Sequence, residues 1–334
     1  MKYIRNFSAH TDYEAEMRRI PTPSVSYCRK ENECHFMPNN VIMFKVGDLN
    51  GNTNQTVTVN YYEGGSETIP ITEGNKWYVH NIPSGKSLKQ FVGIYNITDT
   101  IISAKIKIYY GTIINNIRGN LTFIACDISE LTSMRRMFYN VGGITSLDVF
   151  ILDTSNVTDM SFMFQSCSGL KTLDASNWDV SKVTTMSRMF DGCTSLQSLD
   201  LSNWNVENVT NMDVMFGDCS SFQTLNLSGW NTSKVTDMFA MFDGCTSLQS
   251  LDLSNWNVAN VTNMNIMFQL CEKLQSLDLS NWNVGNVTTM SNMFKYCDSL
   301  KTIYMRNCNQ TTIDKIKAQL ETDGILNNVT IITE

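Results

Sequence analysis

Histidine is scarce in this chain of 334 residues: His10, His35 and His80 are the only three, and none lies beyond position 80. The commonest general base of hydrolytic and nucleophilic catalysis is thus missing from the greater part of the protein. No phosphate-binding Gly loop, HExxH, nucleophile elbow or CxxC pair is present either. Apolar runs are short. None approaches the roughly 18 residues of a membrane-spanning helix, so no membrane insertion is expected. The N-terminal stretch MKYIRNFSAHTDYEAEMRR has no apolar core of the signal-peptide kind, which predicts that the protein does not follow the usual export route. Basic residues are outnumbered, 25 Lys and Arg against 32 Asp and Glu, for a net charge of −7. Residues 131–305 hold 9 basic and 16 acidic side chains, a balance equal to that whole charge. With no basic stripe to neutralise phosphates, nucleic acid is excluded as a partner.

What the chain has in abundance is self-similarity. Met-Phe recurs every 26 residues from Met137-Phe138 to Met293-Phe294. The same clock aligns Trp178, Trp204, Trp230, Trp256 and Trp282 in one column and Cys167, Cys193, Cys219, Cys245, Cys271 and Cys297 in another. Such periods identify a solenoid, whose coils bury together a face that none could bury alone. Within one unit, Ser198-Leu199-Asp200-Leu201-Ser202 alternates polar and apolar, a short strand. From Val209 to Cys219 the apolar residues fall at steps of three, three, one and three, which predicts a short helix with Asn208 and Thr210 as N-cap residues. Each coil is then a strand plus a helix, and the strands stack as a parallel sheet with Leu121, Leu147, Leu173, Leu199, Leu225, Leu251, Leu277 and Ile303 pointing inward. Eight strands at about 4.8 Å give a ladder roughly 35 to 40 Å long. Met, Phe and Trp fill the interior, and the cysteine column reads as buried free thiols.

The run LxxLDLSNWNVxNVTNMxxMFxxC resembles the BspA-like leucine-rich repeat family, a 26-residue variety found on bacterial surfaces and in related phages. The resemblance covers about 131–305 and implies a right-handed solenoid with roles in adhesion or partner binding, and no catalytic residues. The segment FSAHTDYEAEMRRIPTPSVSYCRKENECHF resembles an N-terminal module of structural proteins in Bacteroides-infecting, crAss-like phages, which implies docking to other virion proteins.

The expected organisation is therefore five segments. Residues 1–39 form a helix over 8–19 and a hairpin of Val25 to Cys28 and Cys34 to Phe36, as a docking module. Residues 40–112 form a small antiparallel β-sandwich, with strands at Val41 to Val46, Thr56 to Tyr62, Glu67 to Ile71, Lys76 to Val79, Phe91 to Tyr95 and Ser103 to Tyr110. Residues 113–130 start the solenoid, 131–305 are its coils, and 306–334 close it with a helix from Thr311 to Glu321, a stop at Gly324 and a strand from Val329 to Ile332. Cys28, Cys34 and His35 match no known zinc spacing, and neither metal nor cofactor is expected.

One outward column could recognise a ligand. Asp148, Asp174, Asp200, Asp252 and Asp278, interrupted by Asn226, run along the strands beside Thr172, Ser198, Ser250 and Ser276. Carboxylates about 5 Å apart repel by nearly 1 kcal/mol in water-like surroundings, so hydroxyl hydrogen bonds, counterions or a bound partner must offset them. A glycosidase pair is disfavoured, because its two carboxylates need different environments and these share one. The expectation is a non-enzymatic virion protein of fibre or decoration type, assembled in the host cytoplasm. It would contact a host surface glycan or protein through the solenoid, and homo-oligomerisation fits that type. The alternatives are a bacterial surface adhesin and an intracellular scaffold. Asn-Val-Thr at 156, 208, 260 and 286 is read as a repeated start motif rather than as glycosylation sites.

Overall fold

Side chains that alternate in and out along an extended backbone build the N-terminal strands. The computed structural model describes residues 25–30, 33–37, 41–46, 49, 55–93, 97–103, 114–115, 119–123, 128, 130–149 and 152–334. The helix expected over 8–19, and His10, lie outside them. β1 (Val25–Lys30) and β2 (Glu33–Met37) form the expected antiparallel hairpin, with Cys28 opposite Cys34 in register. Next come β3 (Val41–Val46), β4 (Gln55–Tyr61), β5 (Ser66–Ile71), β6 (Lys76–Asn81), β7 (Leu88–Val92) and β8 (Ile97–Ser103). They pair antiparallel as β6-β3-β8 and β5-β4-β7. Phe44 of one sheet and Phe91 of the other meet with ring centroids 5.4 Å apart, among buried Val46, Val57 and Val59. The last of these strands is Ile97–Ser103, ending where the Ser103 to Tyr110 run was expected to begin; residues 104–110 lie outside the described part.

The two regions share a sheet. β9 (Ile114–Asn115) joins β7, whereas β10 (Gly119–Phe123) pairs parallel with β8 on one side and with β11 (Ile144–Asp148) on the other. The open edge of the first coil is thereby covered by hydrogen-bonded strand, as a solenoid end requires.

Each later coil contributes one short strand: β12 (Thr172–Leu173), β13 (Ser198–Asp200), β14 (Thr224–Asn226), β15 (Ser250–Asp252), β16 (Ser276–Asp278) and β17 (Thr302–Tyr304). The leucine column is in register: Leu121, Leu147 and Leu173 pair in turn, then Leu199 with Leu225, then Leu251, Leu277 and Ile303. It is not one ladder, however. Strand pairing stops between β12 and β13 and between β14 and β15. The stacked indoles Trp178–Trp204, 6.2 Å apart, and Trp230–Trp256, 5.9 Å apart, span those two junctions. There, ring contact takes the place of ladder bonds.

The second limb of the coil is not a helix. The amides of Met212, Val214, Phe216 and Asp218 donate to Asp237, Phe239, Met241 and Asp243 of the next coil at 2.7–3.1 Å. A helix would keep those N–H groups for carbonyls four residues earlier. Instead, i to i+3 turns such as Met215 N to Met212 O (3.3 Å) and Cys219 N to Phe216 O (3.3 Å) fold the limb, with left-handed residues at Val214 (φ 52°) and Asp218 (φ 53°). Those two positions stay left-handed throughout the solenoid, as at Arg188, Ala240 and Ile266, and at Ser166, Leu270 and Tyr296. Asn208 and Thr210 cap nothing. Their side chains donate to the preceding coil, Asn208 Nδ2 to Ser181 O at 2.8 Å and Thr210 Oγ1 to Thr184 O at 3.2 Å, which explains the repeated Asn-Val-Thr without glycosylation.

Inside, the phenylalanine rings from Phe138 to Phe294 stack coil on coil at 5.3–5.9 Å. Cys167, Cys193, Cys219, Cys245, Cys271 and Cys297 are buried free thiols. Each donates to the carbonyl of the Phe one coil back, as Cys219 Sγ does to Phe190 O at 3.1 Å, so a small apolar side chain also satisfies a buried acceptor. At the far end α1 (Gln310–Thr322), capped by Asn309, buries Ile313, Ile316 and Leu320, and Gly324 follows at φ 81°. β18 (Thr330–Ile332) then pairs with β17.

Candidate binding surfaces

Three kinds of outward position follow from this coil. The first is the strand face. Asp174, Asp200, Asn226 and Asp252 are exposed and Asp148 and Asp278 half-buried at the ends, strand register pairing Asp200 with Asn226 and Asp252 with Asp278; Thr172, Ser198 and Ser250 are exposed beside them and Ser276 is half-buried. Within each coil one carboxylate oxygen has a local task. Oδ1 of Asp200 accepts from Ser202 N at 3.0 Å, and Asp174, Asp252 and Asp278 do the same for Ser176, Ser254 and Ser280. These bonds close the turn that follows the strand. They also hold the Asp200 carboxyl below the usual carboxylate range, through the Ser202 amide first and its hydroxyl second. Asn226 closes the same turn on Ser228 N at 3.3 Å, so an amide serves as well as a carboxylate. At the last coil Asp278 faces Arg306, with Oδ2 3.9 Å from Nη1.

A second column, Asp153, Asp179, Asn205, Asn231, Asn257 and Asn283, closes the next bend in the same way. Both columns repeat their chemistry coil after coil.

The third kind repeats less regularly. On the turn limb, the positions between the buried Met and Cys columns face outward and change from coil to coil. Arg135 and Arg136 lie over the Phe162 ring at 4.4 and 5.0 Å. In the middle coils Asp191, Asp218 and Asp243 lie close together, and glycines make the room. A Cβ on Gly217 would stand 3.2 Å from Asp191 Oδ1, and one on Gly244 would stand 2.4 Å from Asp218 Oδ1. Towards the far end the outward positions are Phe239, Ile266 and Leu270, half-buried, and Tyr296, 50% exposed and the one exposed large hydrophobic side chain among the described residues. Asp191-Gly192 recurs as Asp243-Gly244 two coils on, and each aspartate takes an amide from a glutamine one coil away, Gln165 and Gln269.

Burial first, and then the charges of Asp218 and Asp191, push the Asp243 carboxyl up to about 6 against an amide hydrogen bond from Gln269 Nε2 at 3.4 Å. Asp191 is raised too, by burial, although Gln165 Nε2 at 2.7 Å and Arg188 Nη1 at 3.3 Å oppose it. The folded protein therefore holds these protons more tightly than the unfolded chain. That contribution is complete below the unfolded pKa near 4 and is lost as pH rises through about 6. Asp243→Asn should leave stability unchanged at pH 4 and raise it at pH 7.5 by about 1–2 kcal/mol, after halving the full shift for partial exposure. Urea midpoints at the two pH values check this; an equal effect at both would show that the carboxyl is not perturbed.

The sandwich holds a polar group of its own. Tyr61 Oη lies 2.8 Å from Nε2 of His80, and Glu67 Oε2 stands 3.7 Å from that nitrogen. Burial pushes the Tyr61 hydroxyl up to about 12 and pulls His80 below its ordinary value, with Glu67 opposing the latter. The Tyr61–His80 contact bridges β4 of one sheet to β6 of the other. Among the described residues no cluster of three or more His, Cys, Asp or Glu is arranged to hold a metal ion, and no helix is long and apolar enough to cross a membrane.

No curated protein matches the chain. A family model described as "Mycoplasma protein of unknown function, DUF285" matches residues 132–250 and, overlapping, 222–327, which are the coils and α1. The match agrees with the BspA-like repeat pattern of the coils and spans more than half of the sequence, so this chain belongs to the DUF285 repeat family.

Proposed function

We propose that this protein is a non-enzymatic virion component, of fibre or decoration type. Residues 1–39 attach it to other virion proteins, and the solenoid presents a binding surface to a host molecule or a neighbouring subunit. The observation that carries the non-enzymatic part is the sameness of the strand-face carboxylates. Asp174, Asp200 and Asp252 are all exposed and each accept the amide two residues on, at 2.9–3.2 Å, as does the half-buried Asp278 beside Arg306, so no neighbouring pair offers the two contrasting environments of an acid and a base. The virion setting is supported by the N-terminal resemblance. Quantitative mass spectrometry of purified virions against host envelope fractions tests it: the chain is expected to copurify with particles, and enrichment in envelopes would favour the second reading. Release of sugars from a polysaccharide panel would overturn the non-enzymatic reading itself.

The second reading is a bacterial surface adhesin. It is favoured by the family match, whose description names a bacterium.

A further inference from the structure

We propose that the far end of the turn limb is an oxyanion site, and that its occupant is a partner polypeptide segment carrying carboxylate side chains. This rests on the binding reading above and adds where on the solenoid a partner is held and by what chemistry.

The observation that carries it is a row of backbone donors left without acceptors. Along the turn limb, alternate residues hand their N–H groups to the following coil. At the last junction Met264, Ile266, Phe268 and Leu270 donate to the carbonyls of Thr289, Ser291, Met293 and Lys295 at 2.8–2.9 Å. The equivalent donors of the final coil are the amides of Met290, Asn292, Phe294 and Tyr296, and no further coil follows. Phe294 N donates to Oδ2 of Asp323 at 2.9 Å, whereas the other three amides have no acceptor among the described residues. In every earlier coil the same four donors are satisfied.

The cap explains how the gap arises. β18 covers β17, and α1 reaches the adjoining bend, where Lys315 Nζ donates to the carbonyls of Val284, Gly285 and Val287 at 3.1–3.2 Å. Asp323, just past the helix, returns to the turn limb at one point. Met290 shows the consequence in its side chain. It is half-buried, although Met186, Met212, Met238 and Met264 of its column are 0% exposed.

A row of donors alone decides the ligand class. An extended strand offers both N–H and C=O groups along its edge, so part of it would meet donor with donor here. An ionised carboxylate only accepts, and like-pointing amides leave positive partial charge at this end of the limb. Asp323 shows in the chain itself that the row takes a carboxylate. Lys295, whose Nζ lies 5.3 Å from the Tyr296 ring centroid, adds a cation beside it. The uncovered Met290 favours a polypeptide over a small free anion, because an apolar residue of the same segment can cover it. A second copy meeting this end with its own far end would set donors against donors.

The test uses the full chain and a peptide with glutamates at alternate positions followed by leucine. In amide NMR spectra the peptide is expected to shift the resonances of Met290, Asn292 and Tyr296, and the same peptide with glutamine for glutamate to leave them in place. Inorganic phosphate is the third probe. Shifts as large as the peptide's at equal concentration would make this a site for any small oxyanion and overturn the polypeptide occupant. Met290→Pro deletes one N–H, and Met290→Ala shortens the side chain but keeps it; Met290 is not left-handed, so proline is admissible there. By fluorescence anisotropy the proline variant should bind the acidic peptide about tenfold more weakly than the alanine variant, the loss expected for one hydrogen bond to a charged group. Asp323→Ala frees the Phe294 amide and should tighten binding, while Asp298→Asn, which removes the same charge from the last coil, should change it little. Unshifted amides at saturating peptide, equal shifts with the glutamine peptide, equal affinity of the proline and alanine variants, or equal gains from Asp323→Ala and Asp298→Asn would each overturn the proposal. The resonances are read on the unaltered sequence, so a variant that fails to fold leaves the test standing. None of these results touches the non-enzymatic reading, which falls only to cleavage of the polysaccharide panel.

Discussion

Phe216→Ala should lower the unfolding free energy by about 3–5 kcal/mol, the range for deleting a fully buried aromatic ring. The ring lies between Phe190 and Phe242 at 5.7 Å on either side, meets Phe222 edge-on at 5.9 Å, and stacks near Trp230 at 6.4 Å. Its exposure is 0%, so nothing in solvent replaces it. The hole cannot close, because the coils above and below are held apart by Phe190 N to Met215 O and Phe216 N to Met241 O, both 2.9 Å. Urea unfolding with an unchanged slope would locate the loss in the native core. A loss under about 1 kcal/mol would mean that the ring column is not what holds adjacent coils together.

Gly229→Ala comes second, with an expected loss of about 3 kcal/mol from overpacking. A Cβ there would stand 2.0 Å from the carbonyl oxygen of Ser202 and 3.1 Å from its carbon. The obstacle is backbone, held by the neighbouring coil, so the two coils must part. Where Gly229 stands, the adjacent coils carry Asn203 and Asn255, which shows that the close approach belongs to this junction and not to the repeat. β13 and β14 are paired at this level, with Leu201 N on Asn226 O at 3.2 Å, and opening the coil would break that bond. Gly285→Ala is the control. Its nearest neighbour is the side-chain oxygen of Asn283 at 3.1 Å, and alanine should be neutral or stabilise by about 0.5 kcal/mol through the unfolded chain. Similar melting temperatures for the two variants would contradict the geometry at Gly229.

Much of the coil can be read from the residues. A period of 26 places Leu199 opposite Leu225 and Leu251 opposite Leu277, and it buries Met215, Phe216, Trp204 and Cys219 in columns. The closing helix and its stop at Gly324 follow from ordinary capping chemistry. The limb from Val209 to Cys219 was harder. Its apolar spacing suits a helix and a run of i to i+3 turns equally, and the two differ in where the N–H groups of Met212, Val214 and Phe216 go. That destination is a neighbouring coil, which no local pattern can reveal. The breaks in the sheet are hidden for a related reason: Leu173 and Leu225, which stand at the breaks, look like every other leucine in their column. The strand-face aspartates stand where the alternation puts them. Their role in closing turns, shared by Asn226, becomes visible only with the hydrogen bonds.

The strand β10 has a mechanical consequence. Since it is hydrogen-bonded to β8 of the sandwich and to β11 of the first coil at once, the two regions have no swivel between them; turning one against the other would tear parallel ladder bonds on one side or the other. The orientation of the first coil is therefore set by the sandwich, and a load on that coil crosses from β11 through β10 to β8 by ladder bonds.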